Sequence, residues 1–472
     1  MKVTYFQTYN RTRIEGARGI DNHFFICDNG TRVLNPFYHI SDRAGSKEFE
    51  NNERRKMMAR KFYLAVCCLI AAGLCAGIAY AEPSVNISRN RVTIQEKVTD
   101  AILADVKKEV GDTKDLIFRL VKIESDEDVA KLCAAFPGMK ELDIDSPKEL
   151  TSIAPVTQLK GLTRFWLKGA TVSDYSPLSE LTELTNLDIE GNSAKNGMMA
   201  PDLKWMSKLT NLTRLNIGAS SDVRNLVSFE GIPAAKKLTS ATIKSGAPAD
   251  LTPLQALSSL KTLELTNSII ADLTPLTGLP ALEKLSLYGV TVKDFSPLAG
   301  CTALKELTFY ATKGADYSTL GKLTQLENLQ GGLTELNDIS WISGLTKLKN
   351  YRLFAEKVTD YTPLAKLKLE ELMIWNMKVN VIDLDCLSDM TSMKKLTLDS
   401  LEGVKNVEVL QKLTALTSLT IIKFNTKGGE SVPLDLIKKL PNLTELTVSA
   451  GVFSEDQLTG FAKSNIKIQQ RR

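Results

Sequence analysis

Histidine is nearly missing from this chain. His23 and His39 are the only two in 472 residues, so everything beyond residue 39 lacks the side chain most used for acid–base work and for holding transition metals. Cysteine is scarce where it would count. Of seven, only Cys133, Cys301 and Cys386 follow residue 81, too far apart for a metal-ligand spacing and odd in number for a disulfide framework. There is no surplus of charge either. The chain holds 59 Lys+Arg and 55 Asp+Glu, and residues 82–472 hold 47 and 48. The formal +4 therefore belongs to the first 81 residues, and no basic face for nucleic acid or an anionic membrane is expected. No catalytic residue, cofactor or metal ligand is predicted, because a Ser-Lys nucleophile would be the remaining option and no local motif marks one. A content of 43% hydrophobic and 24% charged residues excludes a disordered chain.

Long apolar runs are also few. The one that stands out spans residues 62–81, preceded by Arg54, Arg55, Lys56, Arg60 and Lys61 and closed by Ala79-Tyr80-Ala81. This is the pattern of a secretory signal peptide cut between Ala81 and Glu82. Residues 57–81 are read as that signal and residues 1–56 as an upstream start-site artefact. The alternative keeps 1–56 as a cytoplasmic tail and the twenty apolar residues as an uncleaved anchor, which is long enough to span. Either version exports residues 82–472 across the cytoplasmic membrane, to the periplasm, the cell surface or the medium. Membrane contact is expected only in the anchored one.

A repeat organises residues 140–450. Asp250, Asp272, Asp294, Asp316, Asp338 and Asp360 recur every 22 residues, opening the phrases DLTPL, DLTPL, DFSPL, DYSTL, DISWI and DYTPL, with DYSPL at Asp174 as an outlying copy. Between them runs Leu282-x-x-Leu285-x-Leu287, echoed at Leu260, Leu263 and Leu265 and at Leu304, Leu307 and Phe309. The Leu-x-Leu half alternates and is short, as a strand with one buried face does. In the other half a hydroxyl residue able to cap a helix precedes a proline suited to a first turn, as in Thr252-Pro253 and Ser296-Pro297. Room remains for one or two turns of helix or 3₁₀. No such coil buries its own leucines, so the core exists only by stacking. Strands are expected to centre near Ile144, Trp166, Asp188, Asn216, Thr242 and so on to Thr447. A helical cap is expected at 82–139, repeats at 140–450, and a closing cap at 451–472 with a helix opening at Ser454-x-x-Gln457.

This unit resembles the leucine-rich repeats of bacterial internalin-like surface proteins. The resemblance covers about residues 140–450 and implies an α/β repeat fold: a leucine-rich-repeat solenoid with a parallel β-sheet on its concave face and short helical or 3₁₀ turns on its convex face. It also implies a concave surface that binds protein partners, often on a host or another cell. The family's inter-coil Asn column is mostly absent here, reading Ser268, Val290, Thr312, Thr334 and Glu356, with Asn192 a lone match.

In a Leu-x-Leu strand the x positions and their flanks face away from the core. The column after the second apolar residue reads Thr266, Tyr288, Tyr310, Gly332, Phe354 and Trp375, with four aromatics in six. Such side chains dominate binding hot spots, so Tyr288, Tyr310, Phe354 and Trp375 are the candidate partner site. Asn328, Asn350, Arg352 and Met373 are expected beside them on the same face, and Trp166 in a separate patch. Three alternatives stay open: aromatics that merely shield the sheet, a glycan stacked on the same rings, and a scaffold for the cell's own envelope proteins. One aspartate per coil is explained by bonding loop N–H groups, whereas calcium needs six to eight oxygens.

Overall fold

The spacing of leucines decides the geometry of each coil. Leu251, Leu254, Leu257 and Leu260 lie three residues apart, as do Leu273, Leu276, Leu279 and Leu282, and all eight are buried. A 3₁₀ helix has three residues per turn, so side chains at i and i+3 fall on one line. The backbone obeys: Leu254 N–H donates to the Leu251 carbonyl at 2.9 Å and Leu257 N–H to the Leu254 carbonyl at 2.9 Å. Then the period changes. In Leu263-x-Leu265 it is two, and the chain extends into a strand whose leucines enter the same core. Each buried leucine stabilises by roughly 1.5–3 kcal/mol.

The structure, a computed structural model, describes residues 85–471 apart from short stretches, of which 192–201, 220–225, 311–315, 377–381, 427–432, 450–460 and 462–465 are the longest. The signal segment, the Ala81–Glu82 junction and the helix expected at Ser454 lie outside the described residues. Among the described residues no helix is long and apolar enough to cross a membrane. Eighteen strands are described, β1 (Val85–Ser88) to β18 (Lys467–Arg471), and from β2 (Arg91–Ile94) onward each pairs in parallel with the next in sequence. Among the described strands only β1 and β2 form an antiparallel hairpin.

Three expectations are corrected. The segment 82–139 is not wholly helical. It holds β1, β2 and β3 (Ile117–Val121) as well as α1 (Asp100–Val110) and α2 (Asp126–Ala135), so the first coils carry helices of ten and eleven residues where most later ones carry 3₁₀ turns. Thr99 caps α1, and a Ser125–Asp128 capping box starts α2. In β4 (Glu141–Asp145) the outward position is Asp143, which pairs with Trp166, while Ile144 pairs with Leu167 inside. Finally, the hydroxyl residues do not cap the convex turns; they begin them. Thr274 N–H donates to Asp272 Oδ1 at 2.7 Å, Ser296 to Asp294 at 2.7 Å and Thr362 to Asp360 at 2.9 Å. The aspartate two residues earlier is the acceptor, which gives its 22-residue column a structural reason.

Neighbouring coils are joined at the strand entry. There one carbonyl accepts two N–H groups from the next coil, as Thr239 does from Lys261 at 2.9 Å and Thr262 at 3.0 Å. In the early coils a threonine hydroxyl adds a third bond: Thr185 to Thr163 and Thr213 to Thr185, both 3.0 Å. In the middle coils the same column alternates in charge: Lys261, Glu283, Lys305, Glu327, Lys349, Glu370, Lys394. Two of its pairs are closed, Lys349–Glu327 at 2.7 Å and Lys394–Glu370 at 2.6 Å.

Candidate partner-binding face

Each strand leaves three residues on the concave side. On β10 (Lys284–Tyr288) they are Lys284, Ser286 and Tyr288; on β11 (Glu306–Tyr310), Glu306, Thr308 and Tyr310. On β12 (Asn328–Leu333) they are Asn328, Gln330 and Gly332; on β13 (Asn350–Ala355), Asn350, Arg352 and Phe354; on β14 (Glu371–Asn376), Glu371, Met373 and Trp375. Eight of the nine candidate residues therefore share five consecutive strands. Trp166 does not join them. It sits on β5 (Arg164–Ala170) between Asp143 and Asp188, in a charged setting where Arg119 bonds Asp143 and Glu141.

The four aromatics form one row. Ring centres are 5.2 Å apart for Tyr288–Tyr310, 6.3 Å for Tyr310–Phe354 and 5.4 Å for Phe354–Trp375. The middle distance spans a whole coil, because β12 contributes Gly332, which has no side chain. Tyr310 leans into that space: a Cβ at Gly332 would stand 2.6 Å from its Cδ1. Gln330 Nε2 donates to the Tyr310 hydroxyl at 3.2 Å. Tyr310 is nonetheless 38% exposed, a large aromatic surface in water. Partial burial, with Tyr310 and Glu264 nearby, pushes the Tyr288 hydroxyl above its ordinary pKa.

Beside the row lies a shallow hollow of about 370 Å³ floored by Ser286, Thr308 and Gln330. Lys284–Glu306 closes one side at 2.8 Å, and Glu371 is held by Lys395 at 2.7 Å. The Asn350 amide donates to Asn328. Past Trp375 the sheet changes. β15 (Lys395–Val404) and β16 (Ser418–Thr426) run to ten and nine residues and place Asp399 and then Ile422 in line with the row. Nothing in the sequence period announced these longer strands.

The same column of aspartates carries no metal geometry. Each spends a carboxylate oxygen on the backbone of its own turn, and among the described residues no group of three His, Cys, Asp or Glu side chains converges. Cys133, Cys301 and Cys386 are buried free thiols in the core.

One parallel strand and one short helical turn per coil, 22 residues long in the central repeats and stacked around a leucine core, give the chain a leucine-rich-repeat solenoid fold. No protein-family model and no curated protein sequence matches the chain. Among solved structures it is similar to an internalin of Listeria monocytogenes, at 23% identity and a TM-score of 0.51 over 73% of this chain and 92% of that one. It is also similar to a leucine-rich-repeat protein of Leptospira interrogans, at 16% identity and a TM-score of 0.55 over 80% of this chain and all of the other. TLR13, solved in complex with ssRNA13, shares the shape at 15% identity and a TM-score of 0.55, over 80% of this chain and 61% of that one. At such identities the likeness is one of fold.

Proposed function

We propose that the chain is an exported, non-enzymatic scaffold that binds a protein partner through Tyr288, Tyr310, Phe354 and Trp375 on its concave face. The observation that carries this is the aromatic row itself, with Tyr310 exposed and Tyr288, Phe354 and Trp375 half-buried on a largely polar sheet face. Rings that only shielded the sheet would have no need of Gly332, whose missing side chain brings Tyr310 and Phe354 together. The rings tilt against one another by 34°, 39° and 83°. Such a ridged surface suits side chains entering between rings better than a flat sugar laid upon them. Met373, Asn328 and Asn350 add adaptable and polar edges. The apolar segment before Glu82 supports export, and the near-neutral charge of residues 82–472 gives no support to nucleic-acid binding.

A photoreactive amino acid placed at Met373 in the native cell should crosslink to a partner protein. The same group at Lys322, on a convex turn, should not. Equal crosslinking from both positions, or none from Met373, would sink the proposal. With the partner in hand, Tyr310→Ala and Trp375→Ala should each weaken binding by about 2 kcal/mol while leaving the melting curve nearly unchanged.

A further inference from the structure

We infer that the hollow beside the aromatic row receives a carboxylate side chain of the protein partner, held by Arg352, with an apolar side chain next to it in the partner seated on Phe354 and Trp375. This deepens the proposed function and rests on it. Most polar groups around the hollow are already matched. Glu306 has Lys284 at 2.8 Å, Glu371 has Lys395 at 2.7 Å, and Asn328 and Asn350 bond each other. Arg352 is left over. It lines the hollow, is exposed, and its side chain makes no ion pair or hydrogen bond among the described residues. Arg119, on the same sheet face near the N-terminal end, is by contrast committed to Asp143 and Glu141.

An arginine standing in a depression with every neighbouring charge neutralised gives that depression a net positive character. Its planar fork fits one carboxylate through two parallel hydrogen bonds. Its surroundings select further. Gln330 and Met373 flank it on the adjacent strands, and Phe354 lies two residues on, at about 7 Å along the strand. An extended partner segment running along β13 would thus meet a cation and an aromatic surface at the spacing of neighbouring side chains on one of its own faces. With the other charges paired, one guanidinium balances one negative charge, so a singly charged Asp or Glu is the better fit than a doubly charged phosphate. The aromatic row keeps water off one side, which strengthens the pair relative to an open surface contact.

The test is a random peptide-display selection on the full chain and on its Arg352→Glu, Arg352→Lys and Trp375→Ala variants, each first shown to melt like wild type. Peptides selected on wild type should carry Asp or Glu beside an aromatic or aliphatic residue and bind more weakly as salt is raised. Their affinity should fall by about tenfold or more on Arg352→Glu, and less on Arg352→Lys. Replacing the peptide's acid by its amide should weaken binding to wild type and strengthen binding to Arg352→Glu, where it relieves a like-charge contact, which is the mark of a direct pair. Peptides that need Trp375 but ignore Arg352, or that carry no acid, overturn the inference and leave the protein-binding face standing. Peptides indifferent to both variants, or no enrichment at all, overturn both.

Discussion

Two adjacent glycines offer a controlled test of how the two faces of the sheet differ. Gly331 and Gly332 are consecutive in β12, and neither has a positive φ, so alanine fits the backbone at both. What differs is the neighbour. A Cβ at Gly331 would meet Phe309 Cζ at 2.8 Å and two more ring atoms at 3.2 and 3.3 Å, against ordinary contacts of about 3.5–4 Å. Phe309 has nowhere to go: it is buried, with Phe295 at 5.1 Å and Tyr317 at 6.0 Å. Overpacking of this kind costs about 1–3 kcal/mol, and the loss of glycine's freedom in the unfolded chain returns about 0.4–1. Gly331→Ala should therefore destabilise by about 1–2 kcal/mol. At Gly332 the clash is nominally worse, at 2.6 Å, but it is with Tyr310, which can swing into solvent. The lost ring contact and hydrogen bond lie on an exposed surface and fall at the low end of their ranges, about 1 kcal/mol together, so the net change should be smaller than at Gly331. Urea unfolding followed by circular dichroism and by tryptophan fluorescence measures both variants, provided the two signals coincide, since a repeat array can unfold in blocks. Equal stability of the two variants, or a stabilised Gly331→Ala, would mean that Phe309 is no more confined than Tyr310.

Other outcomes are expected. Tyr351 is fully buried with its hydroxyl unpartnered, so Tyr351→Phe should leave stability unchanged or raise it by about 1 kcal/mol; a loss of that size in the same urea assay would reveal a bond to that hydroxyl. The hydroxyl and then the backbone N–H of Ser318 hold Asp316 below the ordinary aspartate value of 3.8, and Thr362 does the same for Asp360. A carboxylate whose pKa is lower folded than unfolded stabilises the fold above that ordinary value, and the benefit is lost as pH falls through the folded one. Melting temperature should therefore drop steeply below 3.8, and less steeply in Asp316→Asn/Asp360→Asn; identical slopes would count against the role given to these side chains. Burial pushes the thiols of Cys133 and Cys386 up to about 12 and that of Cys301 to about 11. At pH 8 a thiol reagent should label these three only once urea unfolds the chain, as mass mapping would show; labelling of the native protein would mean the coils open readily.

The coils from Asp250 to Asp360 were legible because one physical constraint, stacking, repeats at one spacing and forces leucine, proline and aspartate into columns. The aromatic row was legible for the same reason, since strand alternation alone assigns its face. The capping of the convex turns was not. Asp272 and Thr274 are both good caps by residue type, and only the backbone path decides which one accepts the N–H. The run of leucines at intervals of three did contain the choice of 3₁₀ over α. The strands at the two ends escaped because they lack the pattern: β3 is broken by Leu120, exposed and at φ 50, and β18 offers Ile468 alone among polar residues. Arg352 was visible as a position but not as an unmatched charge, because its neighbours' pairings cross from coil to coil.

The alternating column from Lys261 to Lys394 sets a unit of growth for the molecule. Excising one coil, residues 306–327, would bring Lys305 against Lys349, like charge on like, while excising two, residues 306–349, would bring it against Glu370 and restore the alternation. Although the leucine core treats every coil alike, the edge counts them in twos. A solenoid marked in this way lengthens or shortens most smoothly by pairs of coils, so the 44-residue double unit, rather than the single repeat, is the natural module for anyone resizing this protein.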